Sequence, residues 1–126
     1  MSKNVTTTSE EGYVATTEIR DFDVTLDSGG EEGPDTLESL LASYASCYVP
    51  ALRVGAKQRD AGELGEITIE ATGELNDDDK LASIHFDIET DADVDEETAS
   101  AVVERANELC KVHDALKSDL HAEISF

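Results

Sequence analysis

The sequence predicts an α+β fold in which antiparallel sheet covers helices, and three observations carry that expectation. Apolar residues alternate with period two in five stretches. Two other stretches space them by threes and fours. The segments follow one another as β-β-α-β-β-α-β with no internal repeat. At 126 residues the chain has the length of one domain, and we expect a single domain over 1–126. Hydrophobic residues make up 39% of it, enough to form a core.

The first β stretch, Gly12 to Leu26, places Tyr13, Ala15, Thr17 and Ile19 on one parity and Phe22, Val24 and Leu26 on the other. The inward face therefore switches, which predicts a turn or bulge at Arg20-Asp21. Ser28 to Pro34 is rich in turn residues and reads as a loop. A helix follows from Thr36 to about Gln58, with Leu37, Leu40, Leu41, Tyr44, Ala45, Tyr48 and Leu52 on its apolar positions. Asp35 and Glu38 have the spacing of a capping box at its start. Pro50 removes the hydrogen bond to the Ser46 carbonyl, so a kink is expected beside Cys47.

After a loop at Asp60 to Gly65, Ile67, Ile69 and Ala71 form one inward face and Ile84, Phe86 and Ile88 another. The polar turn at Asn76 to Lys80 between them makes a hairpin. A second helix starts near Asp95 and buries Ala99, Val102, Val103, Ala106 and Cys110. Leu120, Ala122, Ile124 and Phe126 alternate as a last strand.

With 30 acidic and 9 basic residues the net charge is −21, which repels polyanions, so nucleic acid and anionic membrane are excluded as expected partners. The acidic residues are scattered along the chain, a distribution that resembles the surface of a halophilic protein. At molar salt the Debye length shrinks to about 3 Å and suppresses the self-repulsion. No apolar run is long enough to span a bilayer, and residues 1–12 lack an apolar signal core. The expectation is a soluble, cytoplasmic protein.

The chain has two cysteines, Cys47 and Cys110, 63 positions apart, each on the apolar stripe of a different expected helix. Taken alone they admit several readings. Buried free thiols pack as small hydrophobes. A structural disulfide is disfavoured in a reducing compartment. Zinc has the C-x-x-H spacing of Cys110 and His113, but Cys47 is the only other thiol and no fourth ligand stands out. The Asp91-x-Asp93-x-Asp95 run is not a calcium loop, because Glu96 and Val102 occupy the positions of its glycine and bidentate glutamate. His85 and His121 fall on the polar parities of their strands and are expected to face solvent. His113 is expected to be a satisfied helix-end histidine, and Arg53 to pair with surface carboxylates.

The surroundings of the two sulfurs are more specific. Gly33 to Arg53, G-P-D-T-L-E-S-L-L-A-S-Y-A-S-C-Y-V-P-A-L-R, resembles the central helix of the OsmC/Ohr family, the osmotically inducible and organic hydroperoxide resistance proteins. Glu104 to Leu116, E-R-A-N-E-L-C-K-V-H-D-A-L, is similar to the family's second-cysteine helix, and Ile19 to Asp27 to the strand that leads into the central helix. Two positions depart from the pattern: Lys111 stands where many members have Pro after the second Cys, and Pro50 follows the first.

The resemblance implies an OsmC-like fold, antiparallel sheets around a long central helix in an intertwined homodimer, and a thiol peroxidase with no cofactor and no metal. It assigns the attacking sulfur to Cys47, which would pass through a sulfenate to a disulfide with Cys110. It also implies organic or fatty-acid hydroperoxides as substrates and a small, lipoyl-type dithiol as reductant. A thiol with a pKa near 8.5 is mostly protonated at neutral pH, so the chemistry needs a cation close to Cys47. The family supplies an arginine from its N-terminal sheet, held by a glutamate. The resemblance gives these roles to Arg20, the only Arg ahead of Arg53, and Glu38. Nine residues at about 100° each put Glu38 half a turn away from Cys47 on an ideal helix. Either the first turn sends Glu38 back toward Arg20, or Glu38 only completes the cap with Asp35. The competing function is a non-catalytic stress or ligand-binding dimer of the same fold, whose cysteines only pack and which has no cation near Cys47.

Overall fold

A computed structural model of the protein describes residues 1–126, and in it the period-two stretches and one further strand form two three-stranded sheets. Two compact units divide the chain, Met1–Leu40 and Leu41–Phe126.

The first unit holds strands β1 (Thr6–Thr8), β2 (Val14–Ile19) and β3 (Phe22–Asp27), antiparallel in the order β1-β2-β3. Ile19 pairs with Phe22, Thr17 with Val24 and Ala15 with Leu26, so both parities of the sequence lie on one face. The switch is the signature of the two-residue turn Arg20-Asp21, where Arg20 takes a φ of 57°. The face expected to point inward is exposed at Phe22 and Val24. Strand β1 was not expected, because three successive threonines carry no apolar alternation. Its pairing with β2 includes a 2.8 Å hydrogen bond between the Thr7 and Thr17 hydroxyls.

The loop after β3 is organised by Asp27, a buried carboxylate. Its Oδ1 accepts from the Gly29 N–H at 2.8 Å, and its Oδ2 accepts from Glu32 at 3.0 Å and Glu31 at 3.2 Å. The bonds from Glu32 and Gly29 outweigh the opposing effect of burial and hold its pKa below the ordinary carboxylate value. Helix α1 (Thr36–Gln58) then starts with the expected capping box: Glu38 N–H donates to Asp35 Oδ1 at 2.8 Å and Asp35 N–H donates to Glu38 Oε1 at 2.9 Å. The helix continues past Pro50 to Gln58.

In the second unit, β4 (Ile67–Leu75) and β5 (Leu81–Thr90) form the expected hairpin, its turn braced by Asn76 Oδ1, which accepts from the N–H groups of Asp78 and Lys80. Helix α2 (Glu96–Leu109) is capped by Asp95, whose Oδ1 accepts from Thr98 N–H at 2.7 Å. A short helix α3 (Lys111–Ala115), a 3₁₀ turn (Ser118–Leu120) and β6 (Glu123–Ser125) complete the chain. The last strand is shorter than its alternation predicted, with Leu120 in the 3₁₀ turn. It lies parallel to β5, in the order β4-β5-β6, because a helical crossover separates the two strands in sequence.

Side chains of α1 pack on β5 through aromatic contacts, with the Phe86 ring centroid 4.6 Å from Tyr44 and 5.3 Å from Tyr48. Helices α1 and α2 meet at Gly55, where a Cβ would lie 3.1 Å from the Val102 carbonyl oxygen. Tyr48 donates to Asn107 Oδ1 at 2.8 Å across the same contact. Arg53 does not pair with a carboxylate as expected. Its Nη1 donates to the Gly65 carbonyl at 2.8 Å, and the one salt bridge is Arg105–Glu108 at 3.6 Å. Gly65 sits at a φ of 74°, and a Cβ there would stand 2.7 Å from Asp91 Oδ2, an oxygen that accepts from Glu66 N–H. No helix is long and apolar enough to cross a membrane.

Candidate active site

Cys47 lies on α1 and is half-buried, whereas Cys110 is 1% exposed. Cys110 is not inside a helix, contrary to its place on the expected stripe. At φ −74° and ψ 113° it is the C-cap of α2 and the N-cap of α3 together. The chain turns there without Gly or Pro, its N–H bonded to Ala106 O at 2.9 Å and its own carbonyl accepting from Asp114 N–H at 3.1 Å.

The break brings the start of α3 to Cys47. The Val112 and Lys111 amides and the Cys110 thiol lie near Cys47, and the Cys110 side chain makes no capping hydrogen bond to α3. Burial pushes the Cys47 thiol up. The Val112 N–H, the Cys110 thiol, the Lys111 N–H and the Lys111 ammonium together outweigh it and leave Cys47 below the ordinary thiol value. Cys110 behaves in the opposite way. Burial and the neighbouring Cys47 thiolate push it up to about 11, against the N–H groups of His113 and Val112. The surroundings thus favour the thiolate at Cys47 over the thiolate at Cys110.

Cys47 lines a pocket of about 300 Å³ together with Pro50, Ala51, Val54, Leu109 and Lys111. Behind the sulfurs, the buried Tyr44 hydroxyl bonds His113 Nδ1 at 2.6 Å and accepts from Ala122 N–H at 3.0 Å. His113 is therefore satisfied, as expected. His121 is not solvent-facing: the 3₁₀ turn brings it into a stack on His113, ring centroids 3.7 Å apart, with its Nε2 3.2 Å from the Leu116 carbonyl. Burial, then the charge of His121, lower the His113 pKa against the pull of Asp114. His85 is half-buried, its Nε2 3.1 Å from Ser125 Oγ. No three His, Cys, Asp or Glu side chains cluster at metal-binding spacing.

Of the four residues singled out from the sequence, Cys47 and Cys110 stand together. Arg20 is exposed at the β2–β3 turn, its Cζ 5.2 Å from the centroid of the Phe22 ring. Glu38 is engaged in the cap with Asp35, and no ion pair joins it to Arg20. Lys111, on the pocket wall, is in the sequence only a departure from the family pattern. Its signal was available, since one of only nine cationic residues directly follows the second cysteine.

A fold of two three-stranded sheets and a long helix, with two thiols meeting beside that helix, defines a class, and the comparisons name it. The family model described as OsmC-like protein matches residues 29–125, and the chain belongs to the OsmC-like family. An uncharacterised protein of Haloferax volcanii is 38% identical over 119 residues, 94% of this chain and 90% of that protein. The crystal structure of an OsmC-like protein from Mycoplasma pneumoniae superposes with a TM-score of 0.84 at 19% identity, covering 99% of this chain and 95% of the other. That of the organic hydroperoxide resistance protein OhrB of Bacillus subtilis gives 0.73 at 22% identity, over 99% and 97%. At these identities the two structures speak to the fold.

Proposed function

We propose that the protein is a cysteine-dependent hydroperoxide reductase acting as one OsmC-like domain over residues 1–126. The observation that carries this reading is a free Cys47 at an aliphatic pocket with a second free thiol, Cys110, beside it; burial pushes Cys110 up to about 11 while Cys47 is lowered, in line with that division of roles. The hydroperoxide resistance named for the Bacillus subtilis relative supports the same chemistry.

In the proposed cycle the Cys47 thiolate attacks the distal oxygen of an organic hydroperoxide. The S–O bond forms, the O–O bond breaks, and the departing alkoxide takes a proton to leave as an alcohol. Cys47 is then a sulfenic acid. The Cys110 sulfur displaces its hydroxyl, which leaves as water with the Cys110 proton, and a Cys47–Cys110 disulfide results. A small dithiol, such as a lipoyl-type one, reduces that disulfide by exchange and is itself oxidised to a cyclic disulfide. The aliphatic pocket walls Pro50, Ala51, Val54 and Leu109 suit the alkyl part of an organic or fatty-acid hydroperoxide.

Arg20 and Glu38 enter this reading as a pair formed in a homodimer. The exposed Phe22 and Val24 next to Arg20 are the kind of surface a second copy would cover, and such docking would bring Arg20 to a thiolate. The acidic, salt-adapted surface and a cytoplasmic location complete the proposal.

The test is consumption of cumene hydroperoxide with dihydrolipoamide at molar salt. Cys47→Ser is expected to abolish turnover, and Cys110→Ser to allow a single oxidation without recycling. Equal turnover in wild type and both variants would remove the peroxidase reading and leave the cysteines as packing residues.

A further inference from the structure

Lys111 is the only charged side chain on the wall of the Cys47 pocket, whose other members are aliphatic. Its side chain is exposed at the rim, and Cys47 lines the same pocket with no carboxylate among the lining residues. In a chain with 30 acidic residues, the Lys111 ammonium makes no salt bridge. Its place is fixed by the fold, because it is the first residue after the break at Cys110 and opens α3. The Lys111 backbone and the second sulfur are therefore delivered to Cys47 by the same turn of the chain.

We propose that Lys111 is a positioning residue whose ammonium gives the Cys47 pocket its one positive charge from within the same chain, and that this charge biases the pocket toward a thiolate at Cys47 and toward reagents with a negative group. Where an arginine from the N-terminal sheet is the expected cation, this lysine supplies a second one that needs no partner subunit. The proposal rests on Cys47 being the reacting sulfur of the reductase, but its readout requires no turnover.

Alkylation of Cys47, followed by peptide mass mapping, gives its rate as a function of pH in the wild type, Lys111→Met and Lys111→Arg. Each is measured with neutral iodoacetamide and anionic iodoacetate, in dilute buffer and in molar salt. Lys111→Met keeps the aliphatic stem, and melting curves check that it folds. It is expected to move the alkylation midpoint up, the effect of losing an opposite charge close by. The iodoacetate-to-iodoacetamide rate ratio should also fall several-fold. Lys111→Arg should restore both, and molar salt should shrink the difference. A Lys111→Met protein with the wild-type midpoint and ratio overturns the proposal. A protein that consumes no hydroperoxide, yet whose Cys47 profile still follows residue 111, loses the reductase reading and keeps this one.

Discussion

At Cys47 and Cys110 two identical functional groups are driven apart by their surroundings, and the order of their reactivity follows. With Cys110 raised to about 11 and Cys47 lowered, iodoacetamide near neutral pH should label Cys47 first, by peptide mapping, and leave Cys110 protected until the chain unfolds. The Tyr44 hydroxyl has a structural task beside them. Replacing it with Phe leaves the Ala122 N–H without its acceptor and should cost about 1–3 kcal/mol in urea unfolding. His113 sets an acid dependence. Its folded pKa lies below 6.5, so the unfolded chain takes up the proton first, and stability present above pH 6.5 should fall as pH drops through the folded value. Asp27 and Asp95, lowered from 3.8, repeat that sign further down, from 3.8 through their own folded values. Urea midpoints across pH at constant molar salt should show both steps, with His113→Gln flattening the upper and Asp27→Asn the lower.

Among the elements, those whose local signals agreed were legible from sequence. Helix α1 was readable end to end because Asp35 and Glu38 mark its start and its apolar spacing never falters. The Arg20-Asp21 turn was readable because a two-residue reversal must flip parity. Three features were not. The pairing of β1 depends on threonines with no apolar face, and β6 takes its direction from a crossover that alternation does not encode. The break at Cys110 lies in a run that keeps helical spacing and contains no Gly or Pro, so nothing local announces it. The two cysteines were therefore legible as residues, whereas the donors that tune them were not. The α1–α2 contact has no room at Gly55, so Gly55→Val should lower stability by roughly 1–3 kcal/mol, read as a lower urea midpoint, despite losing a helix glycine.

For the whole molecule, charge dominates. A net −21 and a single salt bridge leave the acidic surface without internal compensation, so counterions must supply it. Thermal melts should move to higher temperature from dilute buffer to molar salt; melts that stay flat would show that the fold does not depend on this screening. The residue that divides α2 from α3 has one more consequence. A thiolate at Cys47 puts a negative charge near the amides of Lys111 and Val112, and a disulfide to Cys110 would take that charge away. Deuterium uptake at those two positions would then report the oxidation state of the pair in a protein that has no tryptophan to serve as a fluorescent probe.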